Sequence, residues 1–265
     1  MAIILDGKKL SAEIAQKLAR KISRLKRKPR LVIIQVGAVL ESDVYIKRKK
    51  LFGERIGAIV VHKQYPISVR EASLLSSIGK LNKDKSVHGV IVQLPLPKHL
   101  DPAVITGAID ERKRVDGGKF FTPATARGVM AMLDKYKIKI TGQKATVVGR
   151  SEFVGKPIAL ALLEKNATVT VCHKQTKDLK KETRQADIIV VAAGKPGLIT
   201  PKHVSKNQVV IDVGITARNN KLFGDVDFKK VSKVVKAISP VPGGVGPMTV
   251  ASLFQNLLEA HSLQA

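Results

Sequence analysis

Thr146-Val-Val-Gly149-Arg150-Ser151-Glu-Phe-Val-Gly155-Lys-Pro157 leaves a β-branched run, turns on a glycine and enters a helical pattern. A strand that gives way to a helix through glycines places free backbone N–H groups and the positive end of the helix dipole at one point, which suits a phosphate. The spacing is not G-x-G-x-x-G, because the second glycine position is Ser151, so this turn read alone is as compatible with a plain strand-to-helix connection. Its surroundings extend the pattern. Thr168 to Cys172, Asp187 to Ala193 and Val209 to Val213 read as further apolar strands, with a short one at Val235 to Ser239, and a helix precedes the series from Ala126 to Lys137. Strands that are apolar throughout and alternate with helices indicate a parallel sheet covered on both faces, here a Rossmann-like unit.

The same alternation occupies the amino-terminal half. Ser11 to Arg27 carries Ile14, Ala15, Leu18, Ile22 and Leu25 on one stripe, as an amphipathic helix does. Leu31 to Val36, Ala58 to Tyr65 and Gly89 to Leu94 read as strands, and Ser42 to Ile56 and Val69 to Leu81 as helices. A break at Asp116-Gly117-Gly118 separates the halves. After the Pro-Gly-rich Pro240 to Pro247, a last helix runs from about Met248 to His261. The expected fold class is α/β with two domains and parallel sheets: residues 1–119 plus 244–265 as one domain, 120–243 as the other.

Composition narrows the function classes. The 265 residues hold 47 Lys plus Arg against 21 Asp plus Glu, a net charge of +26, spread over helix faces and turns. With aromatics at 4% and no tryptophan, the stacking rings that single-strand nucleic-acid binders place among their cations are scarce, so nucleic acid is not the expected partner. A solvated surface and attraction of small anionic substrates are the readings left. No run of about 18 apolar residues and no signal-peptide pattern occurs, which sets the expectation of a soluble, cytoplasmic protein without membrane association. The single cysteine, Cys172, has no disulfide partner and no companions for a cysteine-based metal site; it reads as a buried strand residue.

Candidate chemistry lies in both halves. Where a dinucleotide fold carries an acidic residue to accept bonds from the ribose 2′-hydroxyl, this chain has Cys172-His173-Lys174, and Arg150 adds a second cation, so the expected cofactor is NADP rather than NAD. Tyr45 and Lys49 stand four apart on one helix, where a phenol can tune an amine. Gln93 closes a buried strand in Gly89-Val-Ile-Val-Gln93-Leu-Pro-Leu-Pro97, at the carboxyl edge where open parallel sheets bind ligands, and Asp116 stands in an Asp-Gly turn.

These residues, with Ala193-Gly-Lys-Pro196, Ile211-Asp-Val-Gly-Ile215, Gly224-Asp-Val226 and Pro240 to Thr249, resemble the bifunctional methylenetetrahydrofolate dehydrogenase/cyclohydrolase family over nearly the whole chain. The resemblance implies an amino-terminal substrate domain, an NADP domain and a folate cleft between them. It makes Lys49 the catalytic amine, Tyr45 its neighbour against the folate, Gln93 its hydrogen-bond partner and Asp116 the pterin-binding carboxylate. It has Pro242, Gly243, Gly244 and Val245 line the cleft, and Gly149, Arg150, Ser151, Lys174 and Ile215 hold NADP. It further implies a homodimer acting on folates, whose polyglutamate tails the basic surface could attract, and chemistry that needs no metal. We expect Arg48 and Lys50, together with burial, to lower the proton affinity of Lys49. The chain departs from the family in a shorter connection after Asp116-Gly117, in Pro123-Ala-Thr-Ala126 where the family carries Pro-Cys-Thr-Pro, and in Gly118 in place of an aromatic residue. The alternatives are a dehydrogenase of the same family lacking the second activity, and another two-domain NADP oxidoreductase such as one acting on shikimate-like hydroxy acids.

Overall fold

The computed structural model describes residues 2–38, 40–218 and 221–264. In chain order its elements are β1 (Ile3–Ile4), α1 (Gly7–Ser23), β2 (Arg30–Val36), α2 (Leu40–Ile56), β3 (Ile59–Tyr65), α3 (Glu71–Lys83), β4 (Gly89–Val92) and α4 (Pro102–Gly107). There follow α5 (Ala124–Lys135), β5 (Lys144–Val148), α6 (Gly155–Glu164), β6 (Thr168–Cys172), α7 (Leu179–Arg184), β7 (Ile188–Val191), β8 (Val209–Asp212), β9 (Thr216–Arg218), β10 (Lys221–Phe223), α8 (Phe228–Val231), β11 (Ala237–Ile238) and α9 (Val245–Leu263).

Two compact units divide the chain: residues 13–124 with 250–265, and residues 1–12 with 125–249. In the first, three parallel strands run in the order β3-β2-β4. All three are parallel, so Gly37, Pro66 and Gln93 leave the sheet along one edge. Val32, Ile34 and Val90 bury one sheet face against Leu74, Ile78 and Leu81 of α3. Phe52 of α2 stacks on Phe254 of α9 with ring centroids 5.2 Å apart. Gly53 permits the close approach of α2 to β3, because a Cβ there would overlap Val60.

The second unit is a six-stranded parallel sheet in the order β1-β11-β8-β7-β5-β6, with β9 and β10 forming a separate antiparallel pair. Val148, Ile189, Val191 and Val210 belong to its core. Successive strands build outward from β5 to β6 on one side, then return to β7 on the other, so the direction of winding reverses between β5 and β7. Sheets of this kind bind ligands at the carboxyl ends of the two strands where winding reverses.

Several boundaries differ from the sequence reading. The first helix spans Gly7–Ser23 rather than Ser11 to Arg27. Asp6 Oδ1 accepts from the Lys9 amide at 2.9 Å and caps its start. At the other end, Lys28 Nζ donates to the carbonyls of Ile22, Ser23 and Leu25, which an uninterrupted helix would have occupied. Residues 1–12, expected in the substrate domain, belong to the dinucleotide sheet instead, because Ile3 and Ile4 pair in parallel with Ala237 and Ile238. Residues 244–249 also fall in that unit, so the expected division at 243 moves to 249 and that at 119 to 124.

Candidate functional site

Of the four residues expected to carry the substrate chemistry, Gln93 and Asp116 act on the side chain of a third, Lys49. It is 9% exposed, and its Nζ donates to Gln93 Oε1 at 2.7 Å. Gln93 is oriented in turn by the bond from its Nε2 to the Leu94 carbonyl at 2.9 Å, and its backbone N–H still donates to Ile34 one residue beyond the end of β4. Burial pushes the Lys49 amine below its ordinary pKa, and the nearby Asp116 carboxylate opposes that shift. Arg48 and Lys50 do not produce the lowering, contrary to expectation. The Arg48 guanidinium lies 5.8 Å from the centre of the Tyr45 ring, and Lys50 Nζ sits 3.3 Å from His62 Nδ1. Tyr45, half-buried one turn before Lys49, has its phenol pushed up by burial, with Arg48 opposing.

Asp116 is exposed, and its Oδ1 accepts from the Ala124 N–H at 3.0 Å at the start of α5. That bond closes the short connection after Asp116-Gly117. Asn256 of α9 braces both ends of it, donating to the carbonyls of Val115 at 2.7 Å and Thr122 at 2.9 Å. Gly118, where the family more often has an aromatic residue, has φ +91°, and a Cβ there would overlap the paired Glu111 and Arg114 side chains. A larger residue at this point would be strained by the positive φ and would require the Glu111 and Arg114 side chains to move.

A second polar network, joining the end of β2 to α2 and β3, escaped the sequence reading. Gln35, 2% exposed near the end of β2, donates to Asp43 Oδ1 at 2.7 Å, and its Oε1 lies 2.7 Å from His62 Nε2. Burial, helped by Lys50, lowers the His62 pKa while Asp43 opposes. The available signal was a lone glutamine in an otherwise apolar strand, the same signal that singled out Gln93.

In the dinucleotide unit, Gly149 has φ +125°, and a Cβ there would overlap the Ala192 carbonyl; one on Gly155 would overlap the Gly149 carbonyl. Only glycine lets β5, the start of α6 and the exit of β7 close on one another at this spacing. Ser151 Oγ accepts from the Gly155 N–H at 3.2 Å and holds the first turn of α6. Arg150 and Lys174 are both exposed, and the turn carrying Lys174 is tied by Thr176 Oγ1, which accepts from the His173 N–H at 2.9 Å. Ile215 is half-buried beyond β8, near Gly246, where an added Cβ would come 3.4 Å from it. Pro242, Gly243, Gly244 and Val245 lie in this same unit at the start of α9; Gly244 and Val245 are buried. Cys172 is buried, as read.

A switch-point sheet with a glycine turn and flanking cations, in one chain with a buried amine held by a glutamine, fits the class of two-domain nucleotide-dependent enzymes. Comparison with known proteins specifies the kind. Family models match residues 5–116 as the catalytic domain and 123–265 as the NAD(P)-binding domain of tetrahydrofolate dehydrogenase/cyclohydrolase. The chain is 45% identical to bifunctional protein FolD of Moorella thermoacetica, over 98% of each. The crystal structure of bifunctional FolD from Campylobacter jejuni superposes with a TM-score of 0.96 at 40% identity, covering 100% of both chains. FolD of Trypanosoma brucei, solved with NADP and an inhibitor, gives 0.94 at 32% identity, over 99% of this chain and 98% of the other. The chain belongs to the tetrahydrofolate dehydrogenase/cyclohydrolase family, and it is a bifunctional enzyme of that family.

Proposed function

We propose that Lys49, Tyr45, Gln93 and Asp116 carry the substrate chemistry of an enzyme that oxidises 5,10-methylenetetrahydrofolate and hydrolyses the methenyl product to 10-formyltetrahydrofolate. The observation that carries this reading is the buried Lys49 amine bonded at 2.7 Å to Gln93. A charged ammonium has only donors, whereas the neutral amine has a lone pair. With one N–H committed to Gln93, Lys49, whose proton affinity burial lowers, in its neutral form accepts a proton from the water that adds to the methenyl carbon, then returns it to the departing ring nitrogen. Tyr45, on the preceding turn of α2, lies against the folate ring, and the exposed Asp116 carboxylate accepts from the pterin N–H groups.

NADP, when bound, supplies the hydride acceptor for the first reaction. The residues fit such a group: the turn around Gly149 and Gly155 has no space for side chains, the ten-residue α6 begins there, and Arg150 and Lys174 provide cations for a 2′-phosphate where no carboxylate competes. Gly149, Arg150, Ser151, Lys174 and Ile215 would hold it. Because the folate nitrogens stabilise the cation left by hydride departure, the chain's own part in that step is to orient the ring and exclude water. Pro242, Gly243, Gly244 and Val245, a loop with backbone open at Gly243, are proposed to touch the substrate. Polyglutamate tails on the folate and a homodimeric state complete the reading. The net charge of +26 supports the first; sedimentation velocity, which separates one chain from two, tests the second.

The test follows methenyltetrahydrofolate spectrophotometrically as it forms and decays. Lys49→Met is expected to lower the enzyme-dependent decay by at least about 100-fold while leaving formation the less affected step. An unchanged decay rate removes Lys49 from the mechanism. NAD supporting turnover with the better kcat/KM would overturn the assignment of Arg150 and Lys174.

A further inference from the structure

Behind the reversal point of the dinucleotide sheet, the Asp212-Val-Gly214 and Gly224-Asp225-Val226 segments interlock. Asp225 is fully buried, and its Oδ2 accepts from two consecutive backbone amides, Ala193 at 2.6 Å and Gly194 at 2.8 Å, on the chain leaving β7. Asp212, 2% exposed at the end of β8, accepts from Gly214 at 3.1 Å and Asp225 at 3.0 Å on Oδ1, and from Val226 at 3.0 Å on Oδ2. Each carboxyl group occupies the space that the other segment's glycine leaves. A Cβ on Gly214 would overlap the Asp225 carboxyl, and one on Gly224 would overlap that of Asp212.

This arrangement is a poor way to stabilise a fold. Two acidic groups are buried side by side, and Asp225 Oδ1 has no hydrogen-bond partner among the described residues, which weighs against the folded state. Burial and the neighbouring Asp225 charge push the Asp212 carboxyl up to about 7, against three amides that favour its ionised form. Groups held at such a cost are found where geometry matters more than stability. The segments they tie together are the exits of β7 and β8. The Ala192 carbonyl in the first touches Gly149 in the sense that no Cβ fits between them, so the Asp225 clamp sets the wall of the crevice between β5 and β7.

We propose that Asp225 is a positioning residue for the nicotinamide half of the dinucleotide, acting through the backbone of residues 193–194 and, with Asp212, of residue 214. This deepens the assignment of an NADP site to this unit and rests on it. The distinction between cofactor halves follows from topology. In this kind of sheet the pyrophosphate meets the helix after the first strand and the adenosine ribose the end of the second, here α6 and β6. The other half must then pass to the opposite side of the reversal point, along β7 and β8, where the clamp acts.

The experiment measures binding of NADP and of adenosine 2′,5′-bisphosphate, the cofactor's adenosine half, by calorimetry, together with both activities. For Asp225→Ala the expected result is an NADP dissociation constant raised about tenfold or more, with adenosine bisphosphate bound within about twofold of wild type. The cyclohydrolase kcat/KM should be retained, since Lys49, Tyr45, Gln93 and Asp116 lie in the other unit and the Asp225 carboxyl bonds to residues 193–194 rather than to the loop 242–245. Asp225→Asn keeps an oxygen for the two amides and should restore most of the NADP affinity. If Asp225→Ala does not fold, Gly214→Ala carries the test: it retains both carboxyl groups but drives a methyl into one, and the same selective loss is expected. Equal weakening of both ligands, or unchanged NADP affinity, overturns the proposal. A wild-type protein that binds neither ligand would instead remove the NADP site itself.

Discussion

Lys49 shows how one side chain's surroundings choose its chemistry. Its amine is lowered by burial and held up by Asp116, so removing that carboxylate leaves the lowering unopposed. In Asp116→Asn, which still offers an oxygen to the Ala124 N–H, the cyclohydrolase rate should rise with pH through a limb displaced to more acidic values than in wild type. A limb that stays in place, or moves to higher pH, shows that Lys49 does not titrate in this step. Asp212 gives a second pH dependence of known sign. Its folded-state pKa, raised to about 7, stands above the ordinary 3.8, so between these values the unfolded chain has released a proton that the native protein keeps. Stability therefore falls as pH rises through this window and levels off above it, by roughly 2–3 kcal/mol between about pH 5 and pH 8. Asp212→Asn should abolish that component in denaturant unfolding followed at the two pH values; a variant whose pH slope matches wild type would reject it. Lys49, Tyr45, Gln93 and Asp116 stand out in the sequence as an amine and a phenol one turn apart, an amide ending an apolar strand and an acid in a turn, but the roles proposed for them come from the family resemblance. Burial lowers Lys49 as expected, whereas the part given to Arg48 and Lys50 does not hold, since adjacent cations in sequence point to different neighbours on a helix.

Among elements, the long parallel strands were readable almost to the residue. Thr168–Cys172 is as read, because its β-branched run is bounded where it meets His173, even though β6 lies at the edge of the sheet with Thr168, Thr170 and Val171 exposed. The two-residue β1 and the β9–β10 pair were not readable; segments so short carry no periodicity, and their pairing is decided by distant partners such as Ala237 and Ile238. The edge strand leads directly into the core. Leu5 is fully buried, and its N–H donates to the Ile238 carbonyl at 2.9 Å. Leu5→Ala should lower the stability of the dinucleotide unit by about 2–5 kcal/mol, read from the denaturant midpoint. A loss below about 0.5 kcal/mol would show that β1 contributes nothing to that sheet. Gly149, by contrast, was legible as a turn but not as a contact. Its positive φ and its lack of room beside the Ala192 carbonyl belong to the packing of β5 against the exit of β7, which no local sequence encodes.

At the scale of the whole chain, the excess of 47 basic over 21 acidic residues acts on stability and on substrate capture in opposite ways. Folding brings like charges closer than they are in the expanded chain, so self-repulsion weighs on the native state, and salt relieves it by shortening the screening length from about 30 Å at 0.01 M to about 10 Å at 0.1 M. The melting temperature should consequently rise with sodium chloride over that range. In the proposed reading the same field also acts on the anionic tails of the substrate, so KM for a polyglutamylated folate should lie below that for the monoglutamate at low salt and approach it as salt rises. Measured on one preparation, the two readouts must move together: Tm upward, and the ratio of the two KM values toward one. A ratio that ignores ionic strength would leave the charge without a part in substrate capture, because a specific pocket for the tail, with its cations desolvated and close, would be screened far less than an attraction spread over the surface. A falling Tm would mean that local ion pairs such as Lys230 with Asp227, 3.0 Å apart, outweigh the net repulsion, and the basic surface would then be no burden to the fold.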